Sequence, residues 1–265
     1  MAVLSNLDGA DILMKKMERE RIHPDIRTLG TLMDLHAKSK FVEIPHVQKI
    51  LRYKERKNVR GNLVFWNCAL HCAARAGNTP LAERIVKEMF QDGIWPDVKT
   101  YNSLINAYAK TSMVQSPKSD IGRVMEILSL MKTKYETRPN VISYTVAISA
   151  CAKAGDVKTA QICLQEMEEM GLKPDAKAFN TFLDVCARQE PPNTAEMIKI
   201  MIMMENSGIS PDYVTASIVA KLLDAEHCDE RDLGEMRGML EAYGLELVIA
   251  DNIENNRNKT NNKLE

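Results

Sequence analysis

The stretch Val141-Ile-Ser-Tyr-Thr-Val-Ala-Ile-Ser-Ala-Cys-Ala-Lys-Ala-Gly155, followed at a distance by Glu169-Met-Gly-Leu-Lys-Pro-Asp175, governs the reading of the whole chain. Tyr144, Ile148 and Ala152 are four residues apart, so they fall on one stripe of a helix. Gly155-Asp156 breaks that helix and restarts a second amphipathic one, which carries Ala160 and Met167. Lys173-Pro-Asp175 then closes the unit. The same closing phrase recurs as His23-Pro-Asp25, Trp95-Pro-Asp97, Arg138-Pro-Asn140 and Ser210-Pro-Asp212, with Arg60-Gly-Asn62 as a degenerate copy. New helical patterns therefore begin at Ile26, Leu63, Val98, Val141, Ala176 and Tyr213, spaced 37, 35, 43, 35 and 37 residues apart. A fixed period of this length marks a repeat array.

The columns of the units agree. The third residue is often a hydroxyl suited to helix capping: Thr28, Thr100, Ser143 and Thr215. The fourth is large and apolar or aromatic: Leu29, Trp66, Tyr101, Tyr144 and Phe179. The eighth is Met33, Leu70, Ile105, Ile148 and Leu183, and the twelfth is Ala37, Ala74, Ala109, Ala152 and Ala187. A small residue there lets a neighbouring helix come close. The thirteenth is basic: Lys38, Arg75, Lys110, Lys153 and Arg188. Second helices repeat their own columns, Ala82 with Ala160 and Met89 with Met167, and Met197, Met201 and Met204 read as core filler. A single helix–turn–helix cannot bury its apolar face, so the sequence predicts an all-α, right-handed α-solenoid with a concave inner surface.

The predicted organisation is a partial repeat (second helix only) over 1–25, repeats over 26–62, 63–97, 98–140, 141–175 and 176–212, an atypical capping repeat over 213–251 and a disordered tail over 252–265. The third repeat has extra residues between Thr111 and Asp120, which predict a longer turn between its helices. In the last unit Ala216 replaces the aromatic and Asp224-Ala225 breaks the Ala-basic pair.

Composition excludes other classes. Over 265 residues the net charge is −1, aromatics make up 5%, and Gly (12) and Pro (10) are scarce beside Met (16), which disfavours a β sandwich. No uncharged stretch is long enough to cross a bilayer, so no membrane role is expected. The first residues resemble neither a secretory signal nor a transit peptide, which suggests an excerpt or a shortened product. The six cysteines read as buried thiols. Cys68, His71 and Cys72 share a helix but lack a partner pair, as do His227 and Cys228, so no metal or other cofactor is expected. With no phosphate loop, nucleophile motif or deaminase signature, no enzyme is expected.

Val98-Lys-Thr-Tyr-Asn-Ser-Leu-Ile-Asn-Ala-Tyr-Ala-Lys110 and the Val141–Asp175 unit resemble pentatricopeptide repeats, and the resemblance runs from about Leu7 to Val248. The tetratricopeptide alternative wants a small eighth residue, where this chain has Ile, Leu or Met. The resemblance implies a monomeric adaptor that binds single-stranded RNA at about one base per repeat. It implies base selection by the fifth residue and the last residue of each unit: Gly30 with Asn62, Asn67 with Asp97, Asn102 with Asn140, Thr145 with Asp175, and Asn180 with Asp212. By the family code these prefer U-(C/U)-G-U over repeats two to five, with Gly30 unselective and Ser217 with Val248 giving no usable pair. The second residues, Arg27, Val64, Lys99, Ile142, Lys177 and Val214, would sandwich the bases, and the basic thirteenth residues would meet phosphates. Acids such as Glu166, Glu168 and Glu169 fall on second helices, so positive potential is expected on the first-helix face. The family further implies mitochondrial or plastid transcripts as targets, and recruited RNA-processing or ribosomal proteins as partners. The competing reading is a helical scaffold that binds an extended peptide.

Overall fold

The computed structural model describes residues 12, 14–17, 19–111, 117–133, 137–222 and 229–245. Twelve helices are assigned within them. They are α1 (Ile26–Lys38), α2 (Ile44–Arg56), α3 (Leu63–Arg75), α4 (Thr79–Gln91), α5 (Val98–Thr111), α6 (Pro117–Thr133), α7 (Val141–Ala154), α8 (Val157–Glu169), α9 (Ala176–Ala187), α10 (Thr194–Asn206), α11 (Tyr213–Ala220) and α12 (Glu230–Glu241). The described residues contain no strand. Residues 14–17 are helical, where the partial repeat was expected. The predicted tail, Asp224-Ala225, His227, Cys228 and Val248 lie outside the described residues.

The six odd-numbered helices start at the six residues where the sequence period begins. The Pro-Asp and Pro-Asn phrases explain why. Pro ends the preceding chain in extended backbone, and the residue after it becomes the N-cap. The Asp25 carboxylate accepts from the Thr28 N–H at 2.8 Å, Asp175 from Ala178 at 2.8 Å, and Asp212 from Thr215 at 2.9 Å. This corrects one expectation. The third-column hydroxyl is not itself the N-cap but its reciprocal partner. Asn140 with Ser143, and Asp212 with Thr215, form full capping boxes.

The chain divides into two compact units, residues 1–139 and 140–265. In the first, α1, α3 and α5 pack side by side, and α2, α4 and α6 each lie against the first helix of their own repeat. In the second, α7, α9 and α11 do the same, backed by α8, α10 and α12. Each unit is thus a stretch of all-α solenoid, two helices deep, with its core between the layers. The columns are its content. All five fourth-position side chains are buried, Trp66, Tyr144 and Phe179 completely, as are all five at the eighth position. Ala37, Ala74, Ala109 and Ala152 are buried where first helices meet. Ala187 departs from its column: it is the last residue of α9 and only half-buried. Met89, Met167, Met197, Met201 and Met204 are all fully buried.

The extra residues of the third repeat do not simply widen a turn. α6 starts at Pro117 and runs 17 residues, against 13 for α4, so part of the insertion lengthens the second helix. Pro117 suits a first helical position, where its missing N–H costs nothing.

The degenerate phrase Arg60-Gly61-Asn62 has its own reason. The Asp92 carboxylate accepts from the Gly61 N–H at 2.7 Å and from the Trp66 indole N–H at 3.2 Å, and pairs with the Lys54 ammonium at 2.5 Å. Lys54 also lies 4.6 Å from the centroid of the Trp66 ring. A Cβ at residue 61 would run into the indole, and proline would remove the N–H that Asp92 needs. Glycine therefore stands here because a half-buried carboxylate occupies the turn.

Candidate nucleic-acid interface

The second-column residues are exposed on the first helices. Val64, Ile142 and Val214 are 67%, 60% and 50% exposed, and Arg27, Lys99 and Lys177 are also exposed. Apolar β-branched side chains held in solvent on alternate repeats are unusual for packing and suited to stacking on flat ligands.

Beside them lie the fifth-column residues. The Asn67 Nδ2 donates to Asp97 Oδ1 at 3.2 Å, and the Thr100 hydroxyl lies 2.6 Å from Asn67 Oδ1 and 2.8 Å from Asp97 Oδ1. The backbone N–H of Asp97 donates to that same hydroxyl at 3.1 Å. The arrangement recurs in the second unit. Asn180 Nδ2 donates to Asp212 Oδ1 at 3.0 Å, and the Thr215 hydroxyl donates to Asn180 Oδ1 at 2.7 Å. Burial pushes the Asp212 carboxyl up, but the Thr215 N–H, the Asn180 amide and the Thr215 hydroxyl outweigh it and hold the group below its ordinary value.

These contacts fix the amides. A carboxylate only accepts, so the group facing it must be the NH2, not the oxygen. Each Asn is left with one N–H and one lone pair of Oδ1. The structure thus brings together two of the predicted pairs, through a third residue that the code positions alone do not include. A signal for it was in the sequence: Thr100 and Thr215 follow units with Asn at the fifth position, whereas Ala178 follows Thr145.

The other pairs differ. Thr145 is buried, and its hydroxyl donates to the Val141 carbonyl at 2.8 Å, while the exposed Asp175 caps α9. Asn102 is half-buried on α5 of the first unit, and Asn140 caps α7 in the second. Gly30 lies in open space with nothing near its missing Cβ, and Asn62 caps α3 through the Phe65 N–H.

The basic column is placed otherwise than the sequence suggested. The Arg75 guanidinium is held by the carbonyls of Ala37 at 2.5 Å, Ser39 at 2.6 Å and Lys40 at 3.2 Å. Lys110 donates to the Arg75 carbonyl at 3.1 Å. Both cations therefore satisfy the orphan carbonyls that end the preceding first helix, where the helix dipole also favours positive charge. Lys38 pairs with Asp34 and Arg188 with Asp184, each at 2.7 Å. Lys153 is half-buried near the end of α7. The physical reason is local. Arg75 and Lys110 stand at the end of their helices, over the carbonyls that end the preceding first helix, so a cation there serves the stack first.

Among the described residues no three His, Cys, Asp or Glu side chains are grouped to hold a metal. Cys72 is buried with its thiol pushed up to about 12, first by burial, whereas Cys68 is only half-buried. No helix among the described residues is long and apolar enough to cross a membrane.

Comparison with known proteins agrees with this fold. A pentatricopeptide repeat domain model matches residues 49–111 and 164–223, and a PPR repeat family model matches residues 139–188, together more than half of the chain. The chain belongs to the pentatricopeptide repeat family. One pentatricopeptide repeat-containing protein of Arabidopsis thaliana is 23% identical over 258 residues, which cover 95% of this chain and 34% of that one. Another, named as chloroplastic, is 24% identical over 75% of this chain and 25% of its own. The chain therefore spans about a quarter to a third of the length of such relatives. Among solved structures, the pentatricopeptide repeat protein PPR10 from maize aligns with a TM-score of 0.67 at 19% identity, over 90% of this chain and 32% of that one. The structure of PPR10 in complex with an 18-nt psaJ RNA element aligns at 0.66 and 20% identity, over 94% of this chain and 38% of that one.

Proposed function

We propose that the chain is a sequence-selective, single-stranded RNA-binding adaptor acting on organellar transcripts, without catalysis of its own. The observation that carries this is the pair of Asn–Asp–Thr networks, which hold Asn67 and Asn180 in one amide orientation. A uracil edge offers a carbonyl beside the N3 hydrogen, which match the N–H and the lone pair each amide has left. Cytosine offers the reverse order, and reading it would turn the amide oxygen toward the Asp carboxylate. Asn–Asp thereby favours U. At Thr145 the hydroxyl hydrogen is already spent on Val141, so only lone pairs remain. These suit the N1–H and N2–H donors of guanine. Val64, Ile142 and Val214 would stack against the bases, joined by the stems of Arg27, Lys99 and Lys177. Arg75 and Lys110 tie repeats together, and the basic column contributes field to the same face. Relatives named as chloroplastic and mitochondrial, and the RNA complex of PPR10, support the setting.

The test is binding of short RNAs centred on UCGU or UUGU, and of shuffled controls, at several salt concentrations. Selectivity of about tenfold or more per matched base pair of code residues is expected, since a good bidentate contact discriminates by about 1–3 kcal/mol. Equal binding of matched and shuffled RNAs would refute the code reading.

A second reading is favoured by one feature. Val86, Phe90, Leu104, Ile127 and Leu130 line a groove in the first unit, with Phe90 and Trp95 exposed beside it. Such a groove suits an apolar peptide. Phe90→Asp would abolish that binding while leaving RNA affinity intact.

A further inference from the structure

Charge is divided unevenly along the chain. Residues 1–62 hold 13 Lys and Arg against 8 Asp and Glu, while the remainder holds 22 against 28. The surplus does not lie on the first helices. Lys49, Arg52 and Arg56 are exposed on α2, a second helix, at spacings of three and four residues. They therefore form one ladder, with a cation on each turn of about 5.4 Å. Arg21, His23, Arg56 and Lys57 line one shallow hollow, and Lys49, Arg52, Glu55 and Arg56 line the next. A third, between Lys15, His36, His46, Lys49 and Arg56, joins them, so the cations form one continuous surface.

The acids on and around this surface face other cations than the ladder. Glu20 faces Lys16 at 3.9 Å, Glu43 faces His46 at 2.8 Å, and Glu55 reaches Arg84 at 4.0 Å. Lys54, on the same helix, is turned inward to Asp92 and is not part of the ladder. Among the described residues, no ion pair is formed by Arg21, Lys49, Arg52, Arg56 or Lys57. The cations of the first-helix column, in contrast, are occupied by carbonyls and carboxylates.

We propose that this face of α2, with the segment before α1, is a second RNA-contact surface, which grips the phosphates of the strand lying 5′ of the bases read on the first helices. The inference rests on the RNA reading above, with the 5′ end at the earlier repeats. Arg21 and His23 lead directly into Asp25, the cap of α1, so the surface adjoins the start of the first described complete repeat. A strand leaving the stacked bases there meets a row of unpaired cations on the second-helix layer. These cations carry no base-reading groups, so the contact adds affinity without sequence preference.

The experiment compares three RNAs on the whole chain by fluorescence anisotropy: a short UCGU RNA, the same with an oligoadenylate tail of about ten nucleotides on its 5′ side, and the same with that tail on its 3′ side. The 5′ tail should tighten binding about tenfold at low salt. Three added phosphate contacts should steepen the log–log salt slope by about 2, so that the gain is lost between 50 and 200 mM. K49Q/R52Q/R56Q should lose the gain and the extra slope and keep the short-RNA affinity within about twofold. All three residues are exposed, and circular dichroism checks the fold; the single variants give the same reading in smaller steps. The proposal is overturned if the 5′ tail brings no gain, if the 3′ tail brings an equal one, or if the triple variant keeps it. Tighter binding of polyglutamate than of the oligoadenylate alone also overturns it, since the occupant would then be an acidic protein. A shuffled core that binds as well as UCGU refutes the code reading instead, and the tail effect is read separately from it.

Discussion

Replacing Thr215 by Val removes a hydroxyl while keeping the side chain's shape. Thr215 is fully buried, so no new cavity of consequence opens. Two hydrogen bonds are lost. The Asp212 N–H loses its acceptor at 3.1 Å, and Asn180 Oδ1 loses its donor at 2.7 Å. Asn180 is itself 7% exposed, so water reaches the orphaned oxygen poorly. Leaving a buried polar group unpaired costs about 1–3 kcal/mol, and the reciprocal half of a capping box is of similar size. Because Asp212 keeps the Thr215 N–H and the Asn180 amide, we expect a total near 2 kcal/mol, or a fall in Tm of about 4–8 °C for a domain of this size. Thr28→Val is the control. Its hydroxyl donates to Asp25 at 2.8 Å at a half-exposed site, a contact within one capping turn, and about 0.5 kcal/mol or less is expected. Urea unfolding by circular dichroism measures both. If Thr215→Val falls within a few tenths of a kcal/mol of Thr28→Val, the inter-repeat network is not what holds Asn180, and the argument built on its amide orientation fails.

Other consequences follow from the same contacts. Since the folded Asp212 carboxyl lies below its unfolded value of about 3.9, its contribution is present at neutral pH and is lost as pH falls from about 4 through the depressed value; an acid titration of Thr215→Val should lose less over that window than the wild type. Gly61→Pro would make the second repeat look regular in sequence, yet should destabilise the protein by about 3 kcal/mol in urea, because Asp92 loses an N–H and the indole is displaced. Lys54→Met leaves the mostly buried Asp92 carboxylate without its cation and should cost about 3–5 kcal/mol by the same assay. Thr145→Asn should move the third base preference from G toward U in RNA-binding competition, and more completely when Ala178→Thr supplies the hydroxyl found at residues 100 and 215.

The repeat was legible because its signals are local. The N-cap of each first helix is a short polar residue that follows Pro or Gly, and the apolar columns recur every four residues within one helix, so helix starts and core faces could be read without knowing any neighbour. The code positions were legible only as positions. What Asn67 and Asn180 can offer a base depends on Asp97, Thr100, Asp212 and Thr215, which lie 30 to 35 residues further on and arrive only when repeats stack. The extra residues of the third repeat misled for a related reason. Thr111 to Asp120 carries turn formers around Pro117, but that proline sits at the first turn of α6, where it starts a helix.

By itself, then, the sequence determined a stack of helix pairs, where each pair begins, and which stripe of each helix is buried. Backbone caps and amphipathic periods are set within a few residues, and no long-range contact alters them. Only the tertiary structure decided the fate of the polar and charged groups. A cation written in a regular column became a clamp on its neighbour's carbonyls, because Arg75 ends its helix directly over α1. A glycine written in place of proline became the donor to Asp92. The cations left over gathered on α2, outside the column where regularity had pointed. Hydrogen bonds and charges are short-ranged and partner-specific, so their roles follow from what the stacking of repeats places within about 3 Å of them.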